Sequence, residues 1–125
     1  MRSSIDTNHA PKAIGPYSQG IRAGGFVFVS GQLPIDLESG EIPGGIANQT
    51  ERSLKNVQAI LEAGGCTMSD VVEVSIFLKD MNDFAAMNRV YERFFEEPYP
   101  TRAAVEVARL PMDVLVEIKA SAFVG

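Results

Sequence analysis

The chain has 125 residues, of which 46% are hydrophobic and 22% charged, the balance expected of one soluble globular domain spanning residues 1–125. Eleven basic residues against sixteen acidic ones give a net charge of −5, and no Lys/Arg cluster offers itself to phosphates, which argues against nucleic acid as a partner. A single cysteine, Cys66, cannot close an internal disulfide, and "MRSSIDTNHAPKAIGP" has no apolar h-region. With no run of about 18 apolar residues either, the expectation is a cytoplasmic protein without a membrane partner.

In chain order, the segment up to His9 reads as flexible. "FVFVSGQLPI" is rich in β-branched and aromatic residues and follows the turn signal "AGG". Strands over Ser18–Ala23 and Phe26–Leu33, joined as a hairpin, are therefore predicted. Asp36–Gly45 is loop-like, after which the period changes. Ile46, Thr50, Leu54, Val57 and Leu61 mark one stripe of an α-helix, with Asn48 and Glu51 as a capping box and Gly64-Gly65 as the stop.

"DVVEVSIFLKD" alternates, so Val72, Val74, Ile76 and Leu78 are expected on one face and Phe77 on the other. Asn82 is placed to cap a second helix carrying Phe84, Met87, Tyr91 and Phe94, which Pro98 and Pro100 end. Strands over Arg102–Val107 and Val114–Phe123 complete the order β β α β α β β. That order predicts an α+β fold, a mixed sheet with two helices on one face.

Parity assigns the strand faces. In the last strand Val114, Val116, Ile118, Ala120 and Ala122 should meet the helices, leaving Leu115, Glu117, Lys119, Ser121 and Phe123 opposite. In the strand before it, Ala103, Val105 and Val107 are expected in the core, with Arg102, Ala104 and Glu106 on the second face. Apolar residues beside charges on that face suggest a surface covered by another subunit.

Arg102 and Glu117 would then share a face on consecutive strands, close enough to be either a salt bridge or a site. An exposed ion pair contributes only about 0–1 kcal/mol. As a site, the guanidinium fork suits a small carboxylate, and a half-enclosed glutamate suits a water whose protons it exchanges. His9 is the only histidine, so neither a metal set nor a Ser/His/Asp or Cys/His set can be assembled with confidence. "AGG" and "GGI" lack the context of a phosphate loop.

Five separated blocks carry a resemblance: "APKAIGPYSQGI", "VFVSGQLPID", "QTERSLKNVQAILEAGG", "VSIFLKDMNDFAAMNRVYERFF" and "PTRAAVEVARLPMDVLVEIKA". In order and spacing they resemble the Rid/YjgF family of reactive-intermediate (imine/enamine) deaminases over nearly the whole chain. The resemblance implies the α+β fold shared with trimeric chorismate mutases, and a homotrimer with three clefts between subunits. It also implies hydrolysis of 2-iminobutanoate or 2-iminopropanoate to 2-oxo acids and ammonia, with no cofactor.

Residue by residue, Arg102 matches the arginine that grips the substrate carboxylate, and Glu117 the acid that positions the attacking water. Tyr17 matches a tyrosine contributed across the interface, and Ser30 and Asn88 match pocket-lining positions. Two departures stand out. Ala104 occupies a position where cysteine is frequent, which preserves a backbone carbonyl but not a thiol; Lys119 stands where an acid is frequent. A module that binds 2-oxo acids without turnover is the alternative, and ribonuclease activity a weaker one, opposed by the acidic charge.

Overall fold

The computed structural model describes residues 1–125. Its strands are β1 (Arg2–Ile5), β2 (Gly20–Ala23), β3 (Phe26–Gln32), β4 (Val71–Leu78), β5 (Thr101–Glu106) and β6 (Val116–Phe123). Its helices are α1 (Ile46–Ala63) and α2 (Phe84–Tyr91). The strands form one sheet in the order β1-β2-β3-β6-β4-β5, antiparallel throughout except for the parallel β4–β5 pair. A parallel pair needs a crossover, and α2 lies within it. The predicted α+β fold is what forms, with one strand more than expected.

Strand β1 escapes pattern reading because "RSSI" buries only Ile5. The segment after it is held in place rather than loose. Gln19 accepts the Thr7 N–H at 2.8 Å and donates to the carbonyls of Thr7, Ala10 and Pro11, while Ala10 is fully buried. One buried amide thus satisfies the backbone of an irregular stretch that has no ladder of its own. The β2–β3 hairpin forms as predicted. It pairs Ala23 with Phe26 across Gly24, whose φ of 61° is the left-handed conformation that glycine adopts without a Cβ clash.

Helix α1 lays Leu54, Val57, Ile60 and Leu61, all fully buried, over Val27 and Val29 of β3 and Ile118, Ala120 and Ala122 of β6. Truncating any of these leucines or isoleucines to alanine is expected to cost about 2–5 kcal/mol, since the close-packed layer cannot collapse to fill the void. The α1 start differs from expectation. Gly45 precedes the first turn without a side-chain cap, and Asn48 donates back to the Gly44 carbonyl rather than forming a box with Glu51.

Ahead of α2, a 3-10 turn at Met81–Asp83 intervenes. Asp80 supplies the cap there, accepting the N–H of Asn82 at 2.9 Å, so Asn82 contributes its backbone rather than its side chain. Helix α2 ends at Tyr91, before the prolines. In β4, a register shift between Val71 and Glu73 turns Val72 outward, where it is 44% exposed; Val74, Ile76 and Leu78 stay buried.

The parity of β6 holds residue by residue, but that of β5 is reversed. Parallel pairing sets Arg102 beside Val74 and Ala104 beside Ile76, both core-facing positions, and sets Val105 beside Phe77 on the bare face. Val105 is therefore 45% exposed. The expectation of Ala103 and Val105 in the core failed because the bare face is itself apolar. Phe26, Phe28 and Phe123 stand there, each close to half exposed, with ring centroids 5.8 Å and 4.9 Å from Phe26.

Candidate active site: two half-sites on opposite sides of the sheet

The first half-site grows out of a bulge. Between Val29 and Gln32 of β3 the register with β6 slips, so that Ser30 and Gly31 together oppose Lys119, two residues from Glu117 along β6. The Ser30 hydroxyl donates to the Ser18 carbonyl at 2.6 Å, tying the bulge to the loop that carries Tyr17. Tyr17, Ser30, Gly31, Glu117 and Lys119 line a depression of about 640 Å³.

Gly31 leaves a gap that Glu117 fills: a Cβ at residue 31 would lie 2.2 Å from the glutamate's Oε2. Only a residue without a side chain lets the carboxylate rest against the bulge. Burial pushes the Glu117 carboxyl above the ordinary glutamate range, the behaviour of a group readied to exchange protons. Lys119 points from the same face of β6 and reaches the same depression.

The second half-site belongs to β5 and α2. Asn88, Tyr91 and Arg102, with Tyr99 and Pro100, line a depression of about 390 Å³. Arg102 Nη1 donates to Asn88 Oδ1 at 2.6 Å. The guanidinium carbon lies 4.8 Å from the Tyr91 ring centroid and 5.4 Å from that of Phe84. Phe84, Asn88 and Tyr91 are spaced four and three apart, hence on one face of α2. Ala104, two residues along β5, is half-buried against the core.

Arg102 and Glu117 are therefore not neighbours, contrary to the expectation of a shared face. Strand β4 lies between their strands, and Glu117 pairs with Phe77, whereas Arg102 pairs with the core-facing Val74. The salt-bridge reading falls with it. The ion pairs of the chain are Lys55–Glu51, Arg93–Glu51 and Arg109–Asp113, and none involves Arg102. Tyr17, Ser30 and Glu117 come together, as do Arg102 and Asn88, and the two sets stay apart; Ala104 lines neither depression and packs against the core instead. Sequence reasoning missed Gly31, although a glycine inside a strand pattern signals a bulge. It also took Tyr91 and Phe84 for core stripe alone.

A mixed six-stranded sheet with two helices on one side and a depression on each face defines the class of α+β protein. The chain belongs to the YjgF/Rid family, matching the family model described as "Endoribonuclease L-PSP" over residues 7–124. It is 56% identical over 124 residues to a RutC family protein of Pyrococcus horikoshii, covering 98% of each chain. It is 49% identical over 125 residues to the 2-iminobutanoate/2-iminopropanoate deaminase of Escherichia coli, again covering 98% of each. The solved structure of Escherichia coli TdcF with bound serine superposes with a TM-score of 0.94 at 48% identity, covering 98% of this chain and 99% of that one.

Proposed function

We propose that the chain is a cofactor-independent imine/enamine deaminase that hydrolyses 2-iminobutanoate and 2-iminopropanoate to the 2-oxo acids and ammonia. The observation that carries this reading is the Arg102 fork. It lies over two rings and donates to one amide, and no carboxylate of its own chain claims it. Such a fork, with donors to spare, suits the carboxylate of a small acid. Similarity over nearly the whole chain, at 49% identity, to a 2-iminobutanoate/2-iminopropanoate deaminase supports the same assignment.

In this reading the imino acid docks its carboxylate on Arg102, and Asn88 fixes the fork's orientation. Water held by Glu117 adds to the imine carbon; Glu117 takes a proton from it and returns one to the departing nitrogen. The C–O bond forms, the C–N bond breaks, and ammonia leaves behind a carbonyl. No electron changes hands, and the imine is already electrophilic, so fixing both reactants in place supplies much of the acceleration.

Because Arg102 and Glu117 occupy different faces, one chain cannot close the site; a second copy must bring its Glu117 to the first copy's Arg102. The bare face with Phe26, Phe28, Phe77, Val105 and Phe123 is the surface we assign to that contact, and a homotrimer with three clefts is the assembly. Light scattering at micromolar protein checks the assembly, and a monomer there removes it.

The test of function is complementation. Each of Arg102→Ala and Glu117→Gln alone should fail to shorten the lifetime of 2-iminobutanoate in a semicarbazide-trapping assay. Unfolded together and refolded as mixed oligomers, they should recover about a quarter of the parent activity, the fraction of clefts that draw both intact halves from different chains. An inactive mixture sinks the shared cleft. A parent that binds 2-oxobutanoate without turnover would instead make the protein a binding module.

A further inference from the structure

We propose that Tyr91 is a positioning residue for the site, an aromatic shelf that sets the plane of the Arg102 fork and thereby the affinity for the substrate carboxylate; this rests on the deaminase reading of the Arg102 depression. The geometry has three parts. The guanidinium carbon sits 4.8 Å from the Tyr91 ring centroid and 5.4 Å from that of Phe84, so two rings of one helix lie within cation–π reach of it. Asn88, between them on the same face, takes one N–H at 2.6 Å. An arginine has five N–H donors in a rigid fork, so pinning the plane and one edge aims the rest.

Tyr91 is also backed firmly. It is 6% exposed and its ring packs 4.6 Å from that of Phe95, which is equally buried, so the shelf has little freedom to tilt. Its hydroxyl is buried and has no hydrogen-bond partner, which separates the ring's task from the hydroxyl's. The ring interacts with the cation by its π-face, and the fold does not depend on the oxygen. A leucine at this place would fill much of the space yet offer no π-face. The guanidinium would then be free to rotate, and each carboxylate bound would have to order it.

Two substitutions divide these roles. Tyr91→Leu should raise both the KM for 2-iminobutanoate and the Kd for 2-oxobutanoate about 2- to 30-fold, the range a cation–π contact supports, with kcat little changed. Tyr91→Phe, which keeps the ring, should restore both constants to near parent values and raise Tm slightly by removing an unpartnered hydroxyl. In an Arg102→Ala background Tyr91→Leu should add no further loss of acid binding, because the shelf acts only through the fork.

An unchanged Kd in folded Tyr91→Leu overturns the proposal, as does an equal effect in the Arg102→Ala background. If Tyr91→Leu fails to fold, Phe84→Leu puts the same question from the half-buried ring. A parent that binds 2-oxobutanoate but turns nothing over defeats the deaminase reading alone. The Kd comparison then still decides the shelf.

Discussion

The two half-sites achieve rigidity by different means. Around Glu117 the chain relies on backbone: a bulge, a glycine that makes room, and a serine hydroxyl closing a loop onto a strand. Around Arg102 it relies on side chains, two aromatic rings and an amide presented by about two turns of α2. The difference follows from the charge each holds. The Glu117 carboxylate is left without a partner and partly buried, so its environment raises its proton affinity. A guanidinium stays charged regardless, so its surroundings can only aim it.

The sharpest way to break this comparison is Glu117→Gln. Loss of the proton-exchanging group should lower kcat by about 10²–10⁴, while 2-oxobutanoate still binds through Arg102. Equal losses in kcat and binding would mean that Glu117 is an anchor instead.

Gly31→Ala comes next. The new methyl collides with the far end of the glutamate side chain, which can swing aside, so the fold should survive with Tm little changed. Activity should nonetheless drop about 10²-fold, because a displacement of that size misplaces the water. A fully active Gly31→Ala protein would show that the carboxylate's resting place is unimportant.

For the side-chain half, Asn88→Ala removes one bond to a charged group. That should raise KM by roughly tenfold while leaving the pH profile alone. A shift in the profile would couple the two halves more tightly than their separate faces imply.

The smallest effect is on stability, and its sign is fixed by burial. The Glu117 carboxyl is raised in the folded chain, so protonation favours folding. Its stabilising contribution is complete below the ordinary glutamate range and is lost as pH rises through the elevated value. Glu117→Gln should accordingly gain Tm relative to the parent between mildly acidic and neutral pH, and lose that advantage in stronger acid. The acid limb of kcat/KM in the parent should lie above the ordinary glutamate range for the same reason. A limb at the ordinary value would argue that a neighbouring chain's cation offsets the burial.

Much of the fold was legible because periods are physical. The α1 stripe and the alternation of β6 stand as predicted, since each element has one face against a dense core. Strand β5 was misread for an equally physical reason. Parity names the apolar side but not which layer it meets, and here both sides of the sheet carry apolar residues, with an arginine lodged on aromatic rings next to the helix layer. The capping role of Asp80 was hidden by a more familiar Asn82 two residues on. Resemblance supplied the site residues by name. Their division between two faces came only with the parallel β4–β5 register, which no local pattern encodes.

The Gln19 clasp has a consequence at a distance. With its carboxamide fastening residues 7 to 11 on one side and Ser30 fastening Ser18 on the other, the span bearing Tyr17 is moored at both ends like a short bridge. The Tyr17 phenol is thus presented from a stiff arch, whose backbone freedom is surrendered when the chain folds rather than when a ligand arrives.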